Sequence, residues 1–179
     1  MTHLLNVSDE DAVVSKPVTP WASETASCKQ VNLNQLLQQL FAKEQLRIES
    51  RKMLIRCDQF PYVLVDESKI TQICHSLLQM ILEHPPEKGK LFMYIKCGVL
   101  KGDEVMNLAL PQGERMFEIS FNTNTQHLPG WDEPYKTFLQ DCNIILQHYG
   151  GAFHYRVNSE SSYLFQMILP GKLNEHATG

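Results

Sequence analysis

Between Asp66 and His84 the sequence reads DESKITQICHSLLQMILEH, and no other stretch limits the fold so tightly. Ile70, Ile73, Cys74, Leu77, Leu78, Ile81 and Leu82 recur at steps of three and four, the period of a helix that buries one stripe. Asp66 is placed to cap the helix start by accepting from a free backbone N–H. Pro85 and Pro86 stop it, since proline lacks an N–H and restricts the residue before it. A long helix with a single apolar stripe has to be covered, and 179 residues suffice for one domain with a proper core. Beside the stripe runs a second line, Gln72, Ser76, Met80 and then Glu83 or His84, which is where this helix would present chemistry.

The rest of the chain supplies the cover. KQVNL predicts a short strand, followed by a helix over NQLLQQLFAKEQLRIESR. Leu33, Leu36, Leu37, Leu40 and Phe41 form its buried stripe, with Asn32 or Asn34 as its cap. KMLIRCD alternates as a strand with Met53, Ile55 and Cys57 on one face, and YVLVD is a short edge strand or an extended lead-in. LFMYIKCGVL and ERMFEISFNT are rich in β-branched and aromatic residues and predict two further strands. A last helix from about Asp132 to Tyr149 places Tyr135, Phe138, Leu139, Cys142, Ile145, Leu146 and Tyr149 on one stripe. Gly150-Gly151 ends it, and AFHYRV and YLFQMILP close the chain as a hairpin. The expected fold is α+β: a two-layer α/β sandwich, its mixed sheet of about five strands covered on one face by three helices. The ordered domain is expected over 29–172, with an arm or linker over 1–28 and a tail over 173–179.

Composition excludes several classes. With 43% apolar and 20% charged residues the chain reads as globular. A net charge of −4 and the lack of any basic run or stripe give no nucleic-acid footprint, and no nucleic-acid partner is expected. No apolar run approaches the ~20 residues that span a bilayer, and the N-terminus lacks the pattern of a secretory signal. The five cysteines are scattered without a C-x-x-C, which suits reduced thiols and a cytoplasmic location rather than a disulfide frame or a zinc site. The seven histidines have no metal-ligand spacing. No Ser/His/Asp set, paired carboxylates or glycine-rich phosphate loop stands out.

Residues 29 to 170 resemble the catalytic ATPase domain of sensor histidine kinases, in the GHKL superfamily. VNLNQLLQQL is similar to that family's opening helix. VDESKITQICHSLLQMILEHPPEKGK resembles its GDPxRLxQVLxNLLxNAxKFTPxGG segment, and NIILQHYGGAFHYRVNSESSYLFQMILP resembles its closing helix, HGG turn and final hairpin. The resemblance implies a nucleotide and magnesium site. The family's two asparagines, the second of which binds magnesium, fall at Ser76 and Met80, and a thioether is a poor ligand for a hard cation that wants oxygen. The family's basic residue falls at Glu83, whose carboxylate would repel phosphate. The adenine-binding aspartate of the DxGxG motif falls at Asn122 or Thr123, with neither glycine present. The GLGL turn falls at Lys136 to Leu139, KTFL, and only GWDEPYK stands where a lid would be.

The resemblance therefore implies a non-catalytic signalling module with a degenerate nucleotide pocket at Ser76, Met80, Glu83, Asn122 and Thr123. No catalytic residue, metal or cofactor is expected, and the partner is a protein of a two-component pathway. Two alternatives stay open: a weak ATP-binding domain, with ATP and magnesium as cofactors, and a phosphotransfer protein. The second lacks its expected histidine on a helical hairpin, since His3 lies in the arm and His75 on the central helix reads as packing. Loss of the ligand would leave Ser76, Met80, the NTNTQHLP loop and Trp131 around a depression. Trp131 and Asp132 are then the expected partner-binding residues, with filling of the vacated space by Trp131 as the plainer reading of that residue, and core packing the plainer reading of Met80.

Overall fold

The structure, a computed structural model, describes residues 28–100, 113–125, 133–159 and 162–173. The expected arm apart from Cys28, most of the tail and the partner-binding pair Trp131 and Asp132 lie outside the described residues. In chain order the elements are β1 (Lys29–Asn32), α1 (Leu33–Lys43), α2 (Gln45–Ser50), β2 (Leu54–Cys57), β3 (Tyr62–Val65) and α3 (Glu67–Glu83). They continue as β4 (Phe92–Val99), β5 (Arg115–Thr123), α4 (Glu133–Gln147), β6 (Ala152–Ser159) and β7 (Ser162–Lys172).

The seven strands form one mixed sheet in the order β1-β3-β7-β5-β4-β2, with β6 also paired to β7. Every pairing is antiparallel except β2 with β4. β7 is the hub: it pairs along Tyr163 to Gly171 with β5, along its first half with β6, and through Gly171 and Lys172 with β3. The sequence suggested about five strands. The count rises because the four-residue β1 and β3 pair with each other and join the end of β7, so both belong to the same sheet.

Side chains alternate across the pleat, and the odd-numbered residues of the long strands face the helices. Met93, Ile95, Ile119, Phe121, Tyr163, Phe165, Met167 and Leu169 share one buried cluster with Leu36, Leu37 and Leu40 of α1, the stripe of α3 and Leu139, Cys142 and Leu146 of α4. Leu77 and Leu146, from two different helices, are both fully buried in it. The two-layer sandwich is thus realised, with four helices rather than three.

The added helix comes from a break. One helix was expected from Asn34 to Arg51, but at Glu44 the backbone turns (φ −97°, ψ 11°) and a new helix starts. Glu44 occupies the place four residues after Leu40 on the buried stripe, and its carboxylate is drawn inward to His75 and Arg47. The two suggested caps divide their work. Asn32 accepts from the Gln35 N–H at 3.2 Å, while Asn34 clamps the Phe60 backbone, donating to its carbonyl at 2.8 Å and accepting from its N–H at 3.0 Å. Asp66 caps α3 through the N–H groups of Ser68 and Lys69. At the end of α4, Gly150 takes φ +73°, and the Gly151 N–H closes on the Leu146 carbonyl at 2.9 Å. A side chain at Gly151 would put its Cβ 2.1 Å from the Ile168 carbonyl oxygen, so β7 passes there only because the residue is glycine.

Candidate functional site

α3 presents its second line of residues unevenly. Gln72 is exposed and Ser76 half-buried, whereas Met80 is 2% exposed and belongs to the core cluster. The thioether therefore does not line an open depression, as the sequence reading had it. It packs with Leu77, Ile81 and their neighbours, as an unbranched, polarisable side chain does readily. Glu83, one turn on, is exposed. It accepts from the Tyr135 hydroxyl at 3.2 Å and stands 3.8 Å from the Arg47 guanidinium. His84, the helix cap, meets the same hydroxyl through Nε2 at 2.9 Å, with the rings edge to face at 5.5 Å. Because Tyr135 donates to Glu83, the His84 contact is satisfied when Nε2 carries the proton and donates to the tyrosine oxygen.

A continuous polar chain results, running His75, Glu44, Arg47, Glu83, Tyr135, His84, and it ties the α1–α2 junction, α3 and α4 together. Glu44, 8% exposed, takes Nε2 of His75 at 2.9 Å and Nη1 of Arg47 at 3.2 Å. The His75 bond, helped by Arg47, outweighs burial and holds the Glu44 carboxyl below the usual glutamate range. The Arg47–Glu83 pair is half-exposed on both sides and contributes little by itself.

The two residues proposed for the adenine position separate. Asn122 points to the face of the sheet away from the helices, between Tyr94 and Leu164 in register, and accepts from the Ser162 hydroxyl at 3.4 Å. Thr123 points into the helix layer and is fully buried, its hydroxyl donating to the Phe92 carbonyl at 2.8 Å. The next two residues continue the stitch. Asn124 accepts from the Phe92 N–H at 2.8 Å and donates to the Lys90 carbonyl at 3.0 Å. Thr125, 1% exposed, donates to the His84 carbonyl, with the Ile81 carbonyl 3.5 Å away. The end of β5 is thereby sewn to the end of α3. The sequence reading singled out neither Glu44 nor Arg47, placed Tyr135 only on an apolar stripe, and held Thr125 only within the NTNTQHLP loop. Only Glu44 left a signal, a carboxylate on an apolar stripe.

Of the five expected positions, Met80 is turned into the core and Asn122 to the opposite face of the sheet, apart from Ser76 and Glu83 on α3. A groove of about 740 Å³ does lie between α1 and α3, lined by Leu36, Gln39, Leu40, Lys43, Thr71 and His75 among others, but none of the five lines it. Among the described residues no cluster of His, Cys, Asp or Glu could hold a metal ion, and no helix is long and apolar enough to cross a membrane.

No protein-family model matches the sequence, nor does any curated protein sequence. Solved structures match the fold. The catalytic domain of histidine kinase ThkA superposes with a TM-score of 0.59 at 16% identity, covering 81% of this chain and 96% of that one. Histidine kinase AdeS of Acinetobacter baumannii gives 0.57 at 13% identity, covering 83% and 68%. Histidine kinase ThkA in complex with the response regulator TrrA gives 0.55 at 18% identity, covering 81% and 42%. The fold is that of the histidine kinase catalytic ATPase domain, a mixed sheet backed on one face by helices. Within that class this chain builds its own version, with β5 sewn to α3 where the resemblance places an adenine contact.

Proposed function

We propose that this chain is a cytoplasmic signalling module that keeps the histidine kinase ATPase shape, binds neither nucleotide nor magnesium, and acts by docking a protein of a two-component pathway. The observation that carries this reading is Met80: the helix position aligned with the magnesium-binding asparagine holds a thioether 2% exposed in the core. The residues present do not suit a magnesium–nucleotide complex. A thioether offers no hard oxygen ligand, Glu83 adds negative charge where phosphate would come, and the hydroxyls of Thr123 and Thr125 are spent on backbone carbonyls. The complex of ThkA with a response regulator supports the class of partner.

Calorimetric titration with a non-hydrolysable ATP analogue, with and without magnesium, tests the first half. The expected result is no magnesium-dependent binding, and micromolar binding that requires magnesium overturns the reading. For the second half, Glu83→Lys, Asp132→Lys and Trp131→Ala are expected to weaken capture of a response regulator while leaving thermal stability nearly unchanged. Capture indifferent to all three removes these residues from the interface.

A further inference from the structure

The face of the sheet turned away from the helices holds a second arrangement. Strand register sets Arg56 of β2 beside Tyr94 of β4, then Asn122 of β5, Leu164 of β7 and Arg156 of β6 in one row across five strands. At about 4.8 Å per strand, the two arginines flank a platform roughly 19 Å wide. The next row runs Lys96, Ser120, Gln166, His154. Arg56, Lys96, His154 and Arg156 are exposed, and Phe92, two residues before Tyr94 on the same face, is 39% exposed. Lys96 holds its ammonium 4.8 Å from the centre of the Tyr94 ring. Among the described strand residues of this face, Arg56, Lys96, Arg156 and Lys172 stand against the single half-buried Glu118. At the rim the Asp58 carboxylate accepts from the Cys97 N–H at 3.2 Å. The chain as a whole has a net charge of −4, so the excess of cations is local to this face.

We propose that this outer sheet face binds single-stranded nucleic acid. Arg56, Lys96 and Arg156 meet phosphates at the flanks, Phe92 and, once Lys96 leaves its ring for a phosphate, Tyr94 offer ring surfaces to successive bases, and Asn122, Ser120 and Gln166 present amide and hydroxyl groups to base edges between them. A protein interface of the usual kind has the reverse layout, an apolar centre poor in charge with polar groups at its rim. The linear sequence hides the arrangement because each cation stands alone in its strand, and only the register brings them together. The proposal is independent of the reading of α3, which faces the other layer.

The test is fluorescence anisotropy of the intact chain with labelled oligo(U), oligo(dT) and a duplex, each about twelve nucleotides long, at about 50 and about 200 mM salt. Both single strands are expected to bind, with the duplex weaker by roughly tenfold because its base faces are stacked away from the rings. With three phosphate contacts, log K should fall against log salt with a slope of about −2. Combined Arg56→Glu and Arg156→Glu should weaken binding by more than about tenfold and flatten that slope. Phe92→Ala should weaken it by roughly tenfold and leave the slope alone. Should the double variant unfold, Phe92→Ala and the slope of the unaltered chain decide the matter. No anisotropy change up to about 100 µM protein overturns the proposal, since even non-specific binders act below that. Equal affinity for the duplex overturns it too, as does binding unmoved by the variants. Displacement of the oligonucleotide by polyglutamate of equal charge would mark a general site for acidic proteins and also overturn it.

Discussion

Thr125 illustrates how single side chains set this site. It is buried, and its one hydroxyl proton goes to the carbonyl that caps α3, so Thr125→Val should leave that acceptor unsatisfied and cost about 1–3 kcal/mol in denaturant unfolding. Met80→Asn replaces a core thioether with an amide that has no partner there. It should lower stability by a similar ~1–3 kcal/mol and still give no magnesium-dependent ATP binding in the calorimeter. Glu44 adds a pH dependence with a definite sign. Its carboxyl titrates lower in the folded chain than in the unfolded one, so its contribution is complete above the ordinary glutamate pKa and is lost as pH falls through the lower folded value. Unfolding free energy measured across the acid range should therefore fall less steeply in Glu44→Gln than in the parent. A slope unchanged by the substitution would mean the His75 bond is not formed. The caps Asn32 and Asp66 were legible in the sequence because their partners lie two or three residues away. Glu44 and Thr125 were not, because their partners lie 31 and 41 residues off and only the folded chain brings them together.

At the level of elements, the helical stripes carried most of the fold. α3 runs over nearly the predicted span, and the partly buried Tyr135, Phe138, Ile145 and Tyr149 pack on the core beside α4's fully buried positions. Leu77→Ala and Leu146→Ala should each cost about 2–5 kcal/mol, and a loss below ~0.5 kcal/mol at both would mean the faces are misassigned. Gly151→Ala should do comparable damage for a different reason, since its Cβ would overlap the Ile168 backbone and β6 or β7 would have to shift. The break between α1 and α2 escaped the sequence because helix propensity through Lys43 and Gln45 is good on both sides, and it is a tertiary bond that turns the chain. Face assignment along β5 was also beyond reach. Asn122 and Thr123 are both suitable hydrogen-bonding residues, and a one-residue change of register exchanges which of them meets the helices.

For the molecule as a whole, burial has a chemical readout in its cysteines. The thiols of Cys74 and Cys142 are pushed up to about 12 by burial, and those of Cys57 and Cys97 to about 11. Alkylation of the native protein followed by mass spectrometry should leave Cys74 and Cys142 unmodified until the chain unfolds, with exposed Cys57 reacting slowly for its exposure. Early modification of either core cysteine would show that the helix layer opens. The central place of β7 also bears on how the protein is made. This strand follows every one of its partners in the chain, so until it is made no strand links β1 and β3 to β2, β4 and β5 in the sheet. The roughly fifty residues from the end of β5 to the end of β7 take several seconds to emerge at about 5–20 residues per second. Through that interval the inner edge of β5, nine residues of alternating apolar side chains, stands unpaired and able to recruit a strand from another nascent chain. Yield in the cell should thus depend on chaperone supply and on the speed of translation through the last hairpin more than on the stability of the finished domain.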